Sequence, residues 1–284
     1  MTSLTGTSPR SWTPVTRGYT GAERWVVCNE DDSSCFVKAA TDPDTAGWLR
    51  AEMAVYDNVA ADWLPAVVGW EDDGERPLLL LEDLSRANWP PPWSEGLVER
   101  VLELLELVHA TSPPPGAPPL EALREELSGW SRVADDPAPF LSLGLCSAAW
   151  LEGALPFLLE AQENGVLDGD ELVHADVRSD NLCFVGARTV LVDWNWAARG
   201  NGSFDAAAWA PSLDAEGGPP PAHVLQDEPE LAAMVCGYFA SKAGLEPPSP
   251  GSRVREIQLV QLRVALPWVA GLLALPPPEL QAPS

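Results

Sequence analysis

The residues best able to do chemistry lie in one stretch, Leu172-Val173-His174-Ala175-Asp176-Val177-Arg178-Ser179-Asp180-Asn181-Leu182-Cys183-Phe184-Val185. Shortly after it comes Val190-Leu191-Val192-Asp193-Trp194-Asn195-Trp196. In pattern form this is H-x-D-x-x-x-x-N, then a turn, then an apolar strand that ends in Asp. Two apolar strands flanking a turn set Asn181 and Asp193 at neighbouring strand ends, with Asp176 on the loop just before them. Three oxygen-bearing side chains then converge on one point. Such a set suits a hard cation such as Mg²⁺, which takes oxygen ligands and bridges substrate phosphates. Asp176 sits off the metal pair and can orient and deprotonate a hydroxyl. Phosphoryl transfer asks a protein mainly for positioning and charge neutralisation, and these are the parts that supply them.

These residues must be held by elements that change character along the chain. Glu23 to Cys28 and Cys35 to Ala39 are β-prone runs on either side of the polar turn Asn29-Glu30-Asp31-Asp32-Ser33-Ser34, which reads as a hairpin. A helix follows, with Asp42 as N-cap and Pro43 at its first position, running to about Ala60. Trp48, Val55 and Val59 share one face of it, and Glu52 falls on that face. A carboxylate there is costly unless paired, and Lys38, at the end of the second hairpin strand, is its natural partner. Leu78 to Leu81 reads as a buried strand that emerges into a connector at Glu82-Asp83.

Beyond the connector the periodicity is helical over Leu97 to Ala110, Pro119 to Trp130, Ala148 to Gln162, Pro229 to Ala243 and Arg253 to Leu275, the last interrupted at Pro267. Short β-prone pieces stand at Leu172-Val173, Leu182 to Val185 and Thr189 to Val192. Proline clusters, such as Pro90 to Pro92 and Pro219 to Pro221, mark boundaries or surface loops. The expected fold class is α+β and two-lobed: a small β-rich N-terminal lobe over residues 1–82, a larger, mainly helical lobe over residues 83–284, and a cleft between them.

The 284 residues carry 17 basic and 42 acidic side chains, a formal charge of -25. So negative a surface repels nucleic acid and anionic lipid and attracts cationic small molecules. Most of this acid solvates the surface. Asp214, Glu216, Asp227, Glu228 and Glu230 read either as a solvated loop or as an amine-binding rim. The five cysteines are odd in number and form no C-x-x-C pair, so neither a disulfide framework nor a zinc site fits, and a reducing cytosol does. The N-terminus lacks an apolar signal core. The longest apolar stretch, Val264 to Leu275, is too short to span a bilayer and contains Pro267. These features place the protein in the cytoplasm and away from membranes.

The segment from His174 to Asp193 resembles the catalytic loop of the protein-kinase-like superfamily, in its aminoglycoside phosphotransferase and choline kinase branch. The resemblance implies that Asp176 is the catalytic base, that Asn181 and Asp193 are metal ligands and that His174 is structural. It places Arg178 where protein kinases carry a Lys that stabilises the transferring phosphoryl group. It makes Lys38 the nucleotide-binding Lys, fixed by Glu52. Arg17-Gly18-Tyr19-Thr20-Gly21 stands where a phosphate-covering loop belongs, with Gly18 and Gly21 in place of a full G-x-G-x-x-G. Glu82 and Leu84 stand where the family's hinge binds adenine through backbone groups. Asp205, in Ser203-Phe204-Asp205-Ala206-Ala207, is similar to the family's structural helix-opening Asp. The likeness runs from about Thr16 to Trp209.

Protein kinases carry D-F-G where this chain has Asp193-Trp194-Asn195, and small-molecule kinases often carry D-W-E or D-F-E. The expected activity is therefore transfer of phosphate from ATP or GTP, with Mg²⁺, to a hydroxyl of an aminoglycoside, amino sugar or similar cationic metabolite, by a monomer or homodimer. Most of the 13 tryptophans fit core packing, with Trp196 and Trp209 also placed to stack on a sugar or hold a cation. A pseudokinase acting through partners is the main rival, and its mark would be loss of the base, a metal ligand or the Lys. None is lost. A metal-dependent hydrolase using His174, Asp176 and Asp193 would leave Lys38 and Glu52 unexplained. His109 ends an apolar helix as a packed or capping residue, and His223 lies in a proline-rich loop.

Overall fold

A computed structural model of the chain describes residues 2–15, 21–249 and 252–278. The strands β1 (Pro9–Pro14), β2 (Glu23–Asn29), β3 (Ser34–Ala39), β4 (Val67–Glu71) and β5 (Leu78–Glu82) form one antiparallel sheet, ordered β1-β2-β3-β5-β4. The hairpin of β2 and β3 closes at the expected polar turn. The edge strands β1 and β4 have no counterpart in the sequence pattern. β1 is nearly all exposed and bounded by prolines, which an edge tolerates because its outer N–H groups face no partner. Neither edge strand shows the clean alternation that burial of one face imposes.

Inside the sheet, side chains alternate between two apolar layers. Val27, Cys35, Val37 and Leu80 face one side, where Leu4 of the short helix α1 (Thr2–Thr5) packs on them. Leu79, Leu81 and Phe36 face the other side, against Leu49 and Met53 of α2 (Pro43–Asn58). Lys38, two residues beyond Phe36, points to this second side. Asp42 caps α2 by accepting from the Thr45 N–H at 2.8 Å, and Pro43 opens it. The helix ends two residues short of the expected Ala60.

The second half of α2 leaves the sheet. Val55 and Val59, with Trp63 and Leu64 just beyond, are buried in one cluster with Val98, Val101 and Leu105 of α3 (Glu95–His109) and with Leu172, Leu182, Leu191 and Trp194. The sheet is thus tied to the helical part through a shared core as well as through the Glu82-Asp83 connector.

The segment from Pro119 to Trp130 is not one helix. It is a 3₁₀ turn at Leu120–Leu123, then α4 (Arg124–Leu127), a non-helical Ser128, and α5 (Gly129–Asp135). Beyond lie α6 (Ala138–Leu141), α7 (Ala148–Asn164), α8 (Ser203–Ala215), α9 (Pro229–Lys242) and α10 (Val254–Leu272). α10 runs unbroken through Pro267, where an interruption was expected. α8 is buried on most of its circumference, so it carries no amphipathic period for a sequence to reveal. Four short strands complete the fold: β6 (Glu171–Val173) pairs with β9 (Ala198–Gly200), and β7 (Leu182–Val185) pairs with β8 (Arg188–Leu191). Among the described residues no helix is long and apolar enough to cross a membrane, and the five cysteines are free.

The break at Ser128 has a packing reason. It brings Gly129 onto Gly237 of α9, where an added Cβ would sit 1.8 Å from the Gly237 carbonyl oxygen. Gly129→Ala should therefore lower stability by about 3 kcal/mol. Gly153→Ala in α7, where an added Cβ meets nothing within 4 Å, should raise it by up to about 1 kcal/mol. Urea denaturation midpoints of the two variants, moving in opposite directions, check this.

Candidate active site

β6 delivers the chain to His174, and the next two residues turn sharply. Ala175 adopts a left-handed conformation (φ 63°), as does Asp193 (φ 70°) after β8. For residues with a side chain such backbones are strained and persist only where neighbours hold them. The holder at Ala175 is Asp205, on the first turn of α8. Its wholly buried carboxylate accepts from the His174 N–H (3.0 Å), the Ala175 N–H (2.8 Å) and His109 Nε2 (3.1 Å). His174 braces the second turn. Its Nε2 lies 3.0 Å from the Val192 carbonyl and its Nδ1 3.2 Å from the Asp176 N–H. These partners assign the proton to Nε2 and make Nδ1 an acceptor. Burial lowers the His174 pKa and keeps the ring neutral, as this tautomer requires.

Asn181 and Asp193 lie side by side because Leu182 pairs with Leu191 and the Val192 N–H donates to the Asn181 carbonyl at 2.9 Å. The Asn181 amide donates to the backbone carbonyl of Asp176 (2.8 Å) and to its Oδ2 (3.1 Å). Its Oδ1 accepts no hydrogen bond from a described residue. Lys38 reaches this group from the sheet. Its Nζ donates to both oxygens of Glu52 (2.8 and 2.7 Å) and to Asp193 Oδ1 (2.8 Å), and Tyr56 adds a hydroxyl to Glu52 at 2.7 Å. Burial alone would lower the Lys38 pKa, but the two carboxylates outweigh it and raise it, so the ammonium stays charged. Lys38 in turn overcomes the effect of burial on Asp193 and holds that carboxyl low. A carbonyl oxygen on Asn181 and a second carboxylate oxygen on Asp193 fit the oxygen donor set that Mg²⁺ takes.

The Asp176 carboxyl is half-buried, and burial pushes its pKa up to about 7 against the opposing charge of Arg178. Arg178 forms a two-pronged pair with Asp180 (2.9 and 3.0 Å). Asn195, with its amide turned so that both ends are satisfied, donates to the Asp193 carbonyl (3.0 Å) and accepts from Trp196 Nε1 (3.2 Å), so it braces the turn. Trp196 is 45% exposed and its ring lies 6.4 Å from that of Trp48. Trp209 does not meet the expectation of a ligand surface: it is wholly buried in the core, with its ring 5.5 Å from that of Trp93.

At the connector, the Glu82 side chain is occupied by Arg188 (3.0 and 3.2 Å). The Leu84 carbonyl accepts from Ala87 N–H and Trp89 Nε1. Gly18 lies outside the described residues. At Gly21 an added Cβ would only touch Asp42 at 3.6 Å, so no local crowding demands a glycine. Arg24 is a residue the sequence reading passed over. It stands directly opposite Lys38 across the hairpin, on the same sheet face, and lines the narrow space with Lys38, Glu52 and Asp193. That space holds about 10 Å³, room for roughly one water.

The model of the phosphotransferase enzyme family matches residues 11–236. Solved structures are similar over nearly the whole chain. A choline/ethanolamine kinase family protein from Mesorhizobium loti is 16% identical, covers 90% of this chain and 92% of its own, and has a TM-score of 0.56. A macrolide 2'-phosphotransferase from Brachybacterium faecium is 16% identical, with 96% and 88% covered and a TM-score of 0.50. An amicoumacin kinase, solved with AMP-PNP and Ca²⁺, is 11% identical, with 88% and 86% covered and a TM-score of 0.53. At these identities the likeness is one of fold, a kinase-like pair of lobes. No curated protein matches the chain.

The raised Asp176 pKa carries a stability signature. Below about pH 4 the folded and unfolded chains both hold the proton. Between about 4 and 7 the unfolded carboxyl ionises while the folded one resists, so stability is lost as pH rises through that window. Asp176→Asn should be more stable than the parent by about 1–2 kcal/mol at pH 8 in metal-free buffer, after allowance for partial exposure. The difference should vanish toward pH 4. Denaturant titrations at several pH values check it, and a difference that grows on acidification would contradict burial as the cause.

Proposed function

The chain belongs to the phosphotransferase enzyme family, and on that premise we propose that it transfers the γ-phosphate of ATP to a hydroxyl of a small molecule. The observation that carries this reading is the position of the Lys38 ammonium, within 2.8 Å of both Glu52 and Asp193 and so joining the sheet to the segment that holds Asp176 and Asn181. No single-site hydrolase chemistry calls for that link.

In this reading Lys38 and Arg24 neutralise the nucleotide phosphates, with Glu52 fixing Lys38 in place. Asn181 Oδ1 and the Asp193 carboxylate hold Mg²⁺, which when bound neutralises the charge on the transferring group. Lys38 and Asp193, now paired, each turn to the incoming nucleotide complex. The backbone donors near Leu84 take the adenine edge. The Asp176 carboxylate, with a pKa raised to about 7, accepts the proton that the attacking hydroxyl loses, near the neutral range where a general base works best. His174 and Asp205 touch no reactant and keep Asp176 and Asp193 in their strained turns.

ATP consumption with Mg²⁺ over a panel of amino sugars, aminoglycosides, macrolides and amino alcohols tests the reading. Asp176→Asn should reduce kcat about 10³-fold with little change in nucleotide affinity. Turnover that survives this substitution removes Asp176 from the mechanism. Arg24→Ala should weaken ADP binding roughly tenfold while leaving adenosine unaffected. An equal loss for both ligands would give Arg24 a structural role instead.

A further inference from the structure

The hairpin that carries the Asn181–Asp193 pair has a second end. β7 and β8 pair from Leu182 opposite Leu191 to Val185 opposite Arg188, and the chain turns at Gly186 (φ 57°). Asn181 and Asp193 stand just beyond the open end. Arg188 stands at the turn, about 10 Å of strand from Leu191. Between the two ends Phe184 exchanges backbone hydrogen bonds with Asn88 (2.9 and 3.0 Å), and the Leu191 N–H donates to the Trp63 carbonyl (3.0 Å). The hairpin is a short, braced bar with the candidate metal ligands at one end and a guanidinium at the other.

All three nitrogens of that guanidinium reach the segments around the last two strands of the sheet. Nε donates to the Asp62 carbonyl (3.0 Å) and Nη2 to the Leu64 carbonyl (3.2 Å), ahead of β4. Nη1 and Nη2 also grip the two oxygens of Glu82, the last residue of β5, at 3.0 and 3.2 Å. Glu82 in turn holds Ala66. Its Oε2 accepts the Ala66 N–H (3.2 Å), and its own N–H donates to the Ala66 carbonyl (2.8 Å). Burial pushes the Glu82 carboxyl up, but Arg188 and the Ala66 N–H outweigh it and hold it low, so the pair stays ionised. A single-contact ion pair at a surface contributes little. A two-pronged arginine that also closes on two carbonyls fixes both distance and angle, which the point charge of a lysine does not.

An ion pair thus stands at each end of the hairpin. Lys38–Asp193 (2.8 Å) occupies the end that nucleotide phosphates and Mg²⁺ reach, so it has to open for them. Arg188–Glu82 lies at the turn end, outside the narrow space around Lys38. We propose that Arg188 is a positioning residue for the nucleotide: by holding Glu82 it sets the spacing between the connector and the Asn181–Asp193 pair, and it keeps that spacing when Lys38 releases Asp193. The proposal rests on the phosphotransfer reading, because only a ligand that spans from the connector to the metal pair feels the spacing. Arg188 then aligns the two ends of the nucleotide while touching neither.

Calorimetric titration of the purified protein with adenosine, and with AMP-PNP plus Mg²⁺, tests the proposal. The parent should bind AMP-PNP with Mg²⁺ more tightly than adenosine. Arg188→Met and Arg188→Lys should each cut that preference roughly tenfold and leave adenosine affinity within about twofold. Glu82→Gln should cut it as well, and the Arg188→Met, Glu82→Gln double variant should lose no more than Arg188→Met alone, since both changes break one link. Glu82→Gln carries the test alone if neither Arg188 variant folds. A parent that shows the preference with variants that keep it, even at a lower melting temperature, makes Arg188 merely structural. That result sinks the proposal and leaves phosphotransfer standing, as do equal losses for both ligands or additive losses in the double variant. A parent that binds both ligands alike, or neither, overturns the phosphotransfer reading and the proposal with it.

Discussion

The Asp205 carboxylate, shut away from water, is the constraint from which the geometry of the site hangs. An ionised carboxyl in such a place survives only if its lone pairs are answered, and three donors answer them: two consecutive backbone N–H groups and the ring of His109. Those two N–H groups belong to the turn that throws Asp176 outward. The residue between, Ala175, is held in a backbone conformation it would not choose. His174 carries the constraint onward to Val192, next to the second left-handed residue, Asp193. One buried charge thus fixes two strained turns and, through them, the separation of the two carboxylates at the site.

Electrostatics divides the molecule in the opposite sense to its overall charge. The chain as a whole is strongly acidic, yet the inner face of its sheet concentrates Lys38 and Arg24 at adjacent positions. Glu52 and Asp193 balance them in the absence of ligand. An anion that enters the narrow space around Lys38 must displace a short internal ion pair.

The parts legible in the sequence were those fixed by short spacing. Asp176, Asn181 and Asp193 flank one hairpin, so alternation and a turn suffice to bring them together. Glu52 announced itself as a carboxylate on an apolar helix face, which asks for a cation nearby. Arg24 was within reach by the same logic, since the hairpin register that places Lys38 also places its opposite neighbour. Other features depended on packing between distant segments. The bond from His109 to Asp205 spans 96 residues. The helix α8 is buried nearly all round and shows no period, and its Trp209 sits at a position that chain proximity to Asp193 could not distinguish from the surface. Pro267 breaks the pattern of α10 without breaking the helix, and Ser128 breaks a helix because Gly129 must touch Gly237.

The anchoring of α2 bears on control. Val55, Val59 and Trp63 lie in the same core as α3 and Trp194, so the helix that carries Glu52 cannot swing outward without opening that core to water. A signal that works by moving this helix, and with it the Lys38–Glu52 pair, has to open that core first. On the phosphotransfer reading, the Lys38–Glu52 pair is held in place by the same core that joins the sheet to the helices.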